Sequence, residues 1–225
     1  MLNIGIVGAG VGGLSCALML KKLGHKVTIF EKQSKSISSG VGIQLSSNAI
    51  RILRLFDLEE KIASIANFPL MVDCINGHNG KKITSIPLGK IAEKKFNAGF
   101  YQLHRNDLIS ILKNKVEDFG IKINYGSPVN NLTQNSSNAN IQILNQNYNF
   151  DFVIGADGVN SLVRKKIFPN HKPRFLKQVA FRTLIPSTNI PDLFLQDKTL
   201  LFLGNGKHAV SYPIKDKAFI NFVFC

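Results

Sequence analysis

Residues 1–31 read MLNIGIVGAGVGGLSCALMLKKLGHKVTIFE, and this stretch decides how the rest of the chain is read. Leu2, Ile4, Ile6 and Val7 form a short apolar run, as a buried strand requires. Gly8, Gly10 and Gly13 follow in the spacing G-x-G-x-x-G, where the pattern changes to the helical period of Leu14, Ala17, Leu18 and Leu20. Gly24 stops that helix, Val27 to Phe30 make a second apolar strand, and Glu31 ends it. Strand, glycine turn, helix, strand and terminal acid in this order make a dinucleotide-binding unit. Gly8 allows the tight turn, Gly10 lets backbone approach a pyrophosphate, and Gly13 lets the helix lie close to the strands. The helix N-terminus offers free N–H groups to the anion. Glu31 lies eighteen residues after Gly13, where a carboxylate accepts from a ribose and repels a 2′-phosphate, which favours FAD or NAD over NADP.

The bulk composition narrows the class. A chain of 225 residues is long enough to bury a core, as one large domain or two small ones. Three cysteines, Cys16, Cys74 and Cys225, do not make a disulfide framework and fit reduced thiols in a cytoplasmic protein. The apolar N-terminus lacks a preceding basic residue, so it is not read as a signal peptide, and no other stretch is long enough to span a bilayer. The formal net charge of +14 is spread over scattered lysine pairs such as Lys21/Lys22, Lys81/Lys82, Lys94/Lys95 and Lys165/Lys166. No basic run with interleaved aromatics is present, so nucleic acid is not the expected partner. The excess charge reads as solvated surface; attraction to anionic substrates, or weak association with a membrane surface, is the sharper alternative.

Further along, KQSKSISSG (32–40) reads as a surface loop. Ser47 or Asn48 is the expected cap of a helix lined by Ile50, Leu53 and Leu55, with a second helix over Leu58–Ala66. Gly40 and Gly42, with Gln44, either let the backbone pass close to a flat ligand or merely soften a loop. Leu70–Ile75 and Lys82–Ile86 predict a hairpin around NGHNGK, with His78 as an exposed turn residue lacking metal-ligand partners. FYQLHRNDLISILKNKVEDFG (100–120) predicts an extended segment, then an amphipathic helix capped by Asn106 and closed by Gly120. Arg105, just before that cap, is placed either for a phosphate or flavin edge or for a surface salt bridge, and His104 reads as a packed residue. Ile121–Tyr125, Val129–Leu132, Asn140–Leu144 and Tyr148–Phe150 predict an antiparallel meander. Phe152–Ile154 is a buried strand, Gly155–Gly158 a sharp turn holding Asp157, and Ser161 starts a short helix. From His171 onward only strands are expected, and the last, running to Cys225, would be a liability as an exposed apolar edge.

Several separated motifs then agree. GAGVGGL (8–14) with Glu31, GVGIQLSSNAIRIL (40–53), LHRNDL (103–108), GADGVNSLVR (155–164) and GNGKHAVSYPI (204–214) resemble the FAD-dependent aromatic hydroxylases, flavoprotein monooxygenases of the p-hydroxybenzoate and salicylate hydroxylase type. The resemblance implies an α/β fold: a Rossmann-like FAD-binding domain of glutathione-reductase type, with an inserted and following β-rich substrate domain. The expected bounds are 1–69 and 100–169 for the FAD-binding domain, 70–99 for a substrate-domain hairpin and 170–225 for the rest of the substrate domain. It implies FAD as resident cofactor, NAD(P)H as co-substrate, and O2-dependent hydroxylation of a small aromatic or quinone-like substrate. It assigns cofactor contacts to Gly8, Gly10, Val11, Gly12, Gly13, Glu31, Lys32, Arg105, Val129, Asp157 and Gly158. Within that set the glycines face the pyrophosphate, Glu31 the ribose, Arg105 the flavin-side phosphate or ribityl chain, and Val129 the adenine. No catalytic side chain and no metal ligand is assigned, since the hard chemistry belongs to the cofactor.

The departures are specific. Ser47 stands where many members have proline, and Ile37 or Ser38 where an arginine is frequent. Members continue to a second flavin motif, G-D-A-x-H, and nothing like GDA occurs after Gly158. The resemblance therefore implies the N-terminal part of a longer enzyme. A remnant that binds FAD without turnover, or another flavin oxidoreductase, are the alternatives.

Overall fold

The computed structural model describes residues 1–34 and 40–225, so the expectations resting on Ile37 and Ser38 and on most of the loop before Gly40 lie outside the described residues. In chain order the elements are β1 (Asn3–Val7), α1 (Val11–Lys22), β2 (Lys26–Phe30), β3 (Gly42–Leu45), α2 (Ser47–Arg54), α3 (Glu59–Ala63), β4 (Met71–Asn76), β5 (Lys82–Pro87), α4 (Gly89–Phe96), β6 (Tyr101–His104) and α5 (Arg105–Asp118). There follow β7 (Lys122–Asn124), β8 (Asn131–Gln134), β9 (Ala139–Ile143), β10 (Gln146–Phe150), β11 (Phe152–Gly155), α6 (Leu162–Ile167), β12 (Phe181–Pro186), β13 (Lys198–Gly204), β14 (Lys207–Ile214) and β15 (Phe219–Phe224). They group into two compact units: Met1–Ser38 with Ile109–Phe175, and Ser39–Leu108 with Leu176–Cys225. Residues 40–69 and 100–108, which the sequence reading placed with the nucleotide-binding half, thus make their contacts in the β-rich unit.

The first unit is built on a parallel sheet in the order β11-β1-β2-β7. β1 lies inside it, with Ile4 beside Val27 and Phe152 and Ile6 beside Ile29 and Ile154. A strand covered on both faces must be apolar throughout, which is why residues 4–7 are buried without alternation. α1 packs through Leu14, Ala17 and Leu18, all fully buried, and each leucine contributes about 1.5–3 kcal/mol relative to exposure. Gly24, at φ 86°, ends the helix turn and returns the chain to β2.

The predicted meander holds for β8, β9 and β10, which form an antiparallel sheet in the order β10-β9-β8. It fails for the first segment. β7 instead pairs parallel with β2, Ile123 beside Ile29, because α5 and Gly120 (φ 66°) carry the chain back to the same end of the sheet as a crossover does. Phe30 joins the two sheets: its ring meets Tyr148 and Phe150 edge-on at centroid distances of 5.0 and 5.8 Å, in a cluster with Val7, Ile141, Ile143 and Val163.

The second unit is a six-stranded sheet in the order β12-β15-β14-β13-β4-β5, beside a two-stranded pair β3-β6. The β4–β5 hairpin forms as expected, and His78 sits in its exposed turn. β15 is not the exposed edge that its position in the chain suggested; β12 and β14 pair with it on either side. A row of buried polar groups ties the small pair to the large sheet. The Gly42 N–H donates to Asn221 Oδ1 at 2.7 Å, and Gln102 Nε2 donates to Thr199 Oγ1 at 2.6 Å. A Cβ at Gly42 would lie 2.7 Å from the Tyr212 hydroxyl and 2.6 Å from Asn221, and one at Gly40 would lie 2.4 Å from Asn106. Protein side chains therefore fill the space beside both glycines.

Helix ends depart from the sequence reading in small ways. α2 starts at Ser47 with Ser46 in the cap position, while the Ser47 hydroxyl donates instead to the Ala98 carbonyl at 2.8 Å. α3 covers only Glu59–Ala63, and α5 already includes Arg105, so Asn106 falls in its first turn rather than capping it. α4 had no counterpart in the sequence reading; its sole buried residue is Ala92, too little to make an apolar period. Among the described residues no helix is long and apolar enough to cross a membrane.

Asp73 is the charged group most deeply placed in the large sheet, at 4 % exposure. It accepts from the Ser85 hydroxyl at 2.5 Å and pairs with Lys198 at 3.1 Å, and these contacts hold its carboxyl below the usual range. A lowered folded-state pKa means the stabilisation is complete above the unfolded value of about 4 and is lost as pH falls through the folded one. Asp73→Asn is expected to cost about 1–3 kcal/mol at neutral pH and to flatten the decline of the melting temperature below about pH 4. An unchanged acid profile in thermal melts from pH 7 to 3 would contradict this role.

Candidate nucleotide-binding site

The site begins where β1 ends. Gly8 has φ 106°, a conformation that a side chain rarely adopts, and its N–H donates to the Phe30 carbonyl at 2.8 Å. A Cβ there would lie 2.3 Å from the carbonyl oxygen of Ala156, in the turn after β11. A Cβ on Gly13 would lie 2.0 Å from the Gly8 carbonyl oxygen. These two glycines are therefore demanded by the chain's own packing. Gly10 and Gly12 differ, since a Cβ on either meets nothing within 4 Å. Gly10 is the N-cap residue of the twelve-residue α1, in extended conformation, with no acid in the helix's first turn to compete for its N–H groups or its dipole.

Glu31 faces this turn from the end of β2. Its Oε2 accepts from the Ala9 N–H at 2.7 Å and its Oε1 from the Gln33 N–H at 2.8 Å. The Glu31 backbone is held as well, donating to the Asn124 carbonyl and accepting from the Ser127 N–H. Each carboxylate oxygen keeps a lone pair for a further donor. Lys32 is exposed beside it, and Val129 is half-buried against the cluster around Phe30. Tyr125, which the sequence reading did not single out, closes the neighbouring loop under the Lys113 ammonium, 5.0 Å from the ring centroid. Burial, then the charges of Glu117 and Glu31, push its phenol above the ordinary value.

The second carboxylate of the site is committed within the protein. Asp157 Oδ1 accepts from the Ser161 hydroxyl at 2.5 Å, and Oδ2 from the Leu162 and Val163 N–H groups at 2.6 and 3.2 Å. It caps α6. Ser161 Oγ in turn accepts from the Arg164 N–H, and the Arg164 guanidinium donates to the Val159 carbonyl at 2.5 Å. Gly158, at φ 80°, lies within this braced turn. Ser161 and Arg164 are thus supporting residues; Ser161 was legible as the start of the helix, whereas the bond from the Arg164 guanidinium to Val159 was not.

The structure brings Gly8, Gly10, Val11, Gly12, Gly13, Glu31, Lys32, Val129, Asp157 and Gly158 into the first unit. Arg105 belongs to the second, where its N–H donates to the Val41 carbonyl at 2.9 Å. The surface salt bridge considered for it is not formed among the described residues. Cys16, within α1, is no activated thiol, because burial pushes its pKa up. No group of acids, histidines and cysteines able to hold a metal occurs among the described residues.

A sequence profile of the FAD binding domain matches residues 1–217. The chain belongs to the FAD-binding domain family. Among family relatives, 3-amino-4-hydroxybenzoate 2-monooxygenase of Streptomyces cremeus is 28 % identical, over 98 % of this chain and 56 % of its own length. 3-Hydroxybenzoate 6-hydroxylase 1 of Aquipseudomonas alcaligenes is 29 % identical, over 98 % and 57 %. The chain spans about half the length of the curated relatives it matches. The same fold is seen in Klebsiella pneumoniae HpxO complexed with FAD and uric acid, at TM-score 0.82 and 20 % identity, over 99 % of this chain and 56 % of that one. CtdE in complex with FAD and a substrate superposes at TM-score 0.89, with 19 % identity over 100 % and 57 %.

The glycine geometry separates fold from binding. Gly8→Ala and Gly13→Ala are expected to destabilise the FAD-free protein by about 2 kcal/mol or more, through overpacking and, at Gly8, an unfavourable φ. Gly10→Ala is expected to change it by less than about 1 kcal/mol. Thermal melts of the three FAD-free variants make the comparison, and equal losses at all three positions would refute it.

Proposed function

We propose that the chain binds FAD through the first unit and forms part of a monooxygenase that uses NAD(P)H and O2 to hydroxylate a small aromatic ring. The observation that carries this reading is the open space over Gly10, at the start of a helix without first-turn acids, beside a Glu31 carboxylate fixed on the Ala9 N–H. A turn where no protein atom crowds Gly10 or Gly12, at the N-terminus of a helix, suits a pyrophosphate, and an acid one strand away suits a ribose.

In this reading Gly10, Val11, Gly12 and Gly13 receive the pyrophosphate, Glu31 accepts from the ribose hydroxyls, and Lys32 and Val129 border the adenosine end. Asp157 works by holding α6 and the Gly158 turn in place rather than by offering a free carboxylate. Arg105 is assigned to the flavin-side phosphate or ribityl chain on the resemblance alone. Bound FAD supplies the redox chemistry that NAD(P)H and O2 require; the chain's part is to hold and orient it. The ring substrate is inferred from the relatives, whose names specify hydroxybenzoates.

Gly10→Val fills the cradle without disturbing a protein contact, and it is expected to weaken FAD binding roughly tenfold or more, about 1.4 kcal/mol, in a flavin-fluorescence titration. Glu31→Ala is expected to weaken it as well, although it also releases the Ala9 N–H. Wild-type FAD affinity in both variants would show the site to be misplaced. For the activity, FAD-loaded protein is assayed for NADH and NADPH oxidation with and without monohydroxybenzoates. Bound flavin with no oxidation that responds to a phenol would remove the hydroxylation and leave the binding.

A further inference from the structure

We infer that the first unit docks on anionic lipid bilayers through the end of its parallel sheet remote from the glycine turn. The strand register fixes which residues share that end. Asn3 lies beside Lys26 and Ile4 beside Phe152, whereas Val7, Phe30 and Gly155 meet at the other end, about 13 Å away, where Gly8 follows. α1 returns the chain to the first end: the Leu2 N–H donates to His25 Nδ1 at 3.3 Å, and the Lys26 N–H to the Leu2 carbonyl at 2.8 Å. α6 runs down the sheet in the same sense. A Cβ at Gly155 would lie 2.7 Å from Val163, near the start of α6, while Ile167 at its end lines a cleft of about 400 Å3 together with Leu2 and Phe152. This surface belongs to the first unit and shares no residue with the nucleotide site, so the inference does not rest on FAD binding.

Apolar and cationic side chains are mixed at this end. Leu23, Phe152, Ile167 and Phe168 are each more than half exposed, with Leu2 beside them. Single exposed hydrophobic residues are ordinary, but several gathered at one end of one sheet mark a contact surface. Lys21, Lys26, Lys165 and Lys166 stand among them, all exposed and none in an ion pair among the described residues. Lys21, Lys165 and Lys166 occupy the last turns of α1 and α6, where a cation suits the helix dipole; the dipole accounts for the charge but not for the apolar groups around it. Asp151, an acid at this end, is taken up by the Asn3 N–H, from which its Oδ2 accepts at 2.7 Å. Glu117 and Asp118 close α5, toward the β7 edge of the sheet. The residue types choose the partner. Protein interfaces favour arginine and are poor in lysine, whereas the cations here are lysines, the one arginine of α6 being held on the Val159 carbonyl. Nucleic acid would pair with the lysines and leave Leu23 and Ile167 without a counterpart. A bilayer with anionic headgroups satisfies both, since ammonium groups stay at the phosphates while apolar side chains enter the acyl boundary.

The full chain is sedimented with vesicles of phosphatidylcholine alone and of phosphatidylcholine mixed with phosphatidylserine. Binding to the mixed vesicles is expected, weaker by roughly tenfold or more without phosphatidylserine or in high salt. Lys165→Glu combined with Lys166→Glu should weaken it by roughly tenfold or more. Lys94→Glu combined with Lys95→Glu makes the same charge change in the second unit and should leave it within about twofold. The chain contains no Trp, so Phe168→Trp places a single reporter in the surface, and its emission should shift to the blue on mixed vesicles. All five altered side chains are exposed, so the core is undisturbed in each variant. Absence of vesicle binding, equal losses from the two lysine pairs, or unshifted emission of the vesicle-bound Phe168→Trp variant would each overturn the assignment, as would binding of duplex DNA in place of vesicles.

Discussion

The close approach of α1 to the end of β1 is the constraint on which the first unit depends. Only because Gly13 has no side chain does the helix settle against the Gly8 carbonyl, and only because Gly8 has none does that turn sit beneath the Ala156 carbonyl. Three chain segments, the turn after β1, the start of α1 and the turn after β11, are locked together through backbone atoms. Glu31 then ties the end of β2 to the same turn through the Ala9 N–H. The result is a set of helix N–H groups directed at a space held open by elements far apart in sequence, which is what preorganisation for an anion requires.

The second unit solves a different problem. Its large sheet must bury one face against the β3–β6 pair, yet that face includes Thr199, Tyr212 and Asn221. Buried polar groups are tolerable when hydrogen-bonded, and here Asn221 Oδ1 accepts from the Gly42 N–H and Thr199 Oγ1 from the Gln102 amide. Tyr212 is so far removed from water that its phenol is pushed well above the ordinary value. The polar row fixes how the pair is registered on the sheet, since an apolar face would permit sliding.

Legibility from sequence followed the range of the interaction. β1, α1, β2 and the β4–β5 hairpin were readable because their signals are local: apolar period, glycine stop, turn residues. The aromatic-hydroxylase resemblance and the glycine triad pointed to the turn after β1 as the candidate site. What was not readable depends on partners distant in the chain. Residues 122–124 look like any short strand, and only the crossover through α5 makes them parallel to β2. β15 reads as an edge until β12 is known to cover it. Gly40 and Gly42 invite a ligand reading, but Asn106, Asn221 and Tyr212 occupy the space. Asp157 has the right address for a cofactor contact, yet both its oxygens are used by α6. α4, with one buried residue, left no periodic trace.

The unequal standing of the three motif glycines also bears on descent. Two of them answer to the fold and one to whatever enters the cradle. A lineage that kept this fold after ceasing to hold a nucleotide would drift at position 10 while positions 8 and 13 stayed fixed. Glycine at positions 8 and 13 therefore answers to the packing of the chain itself, a demand from which position 10 is free.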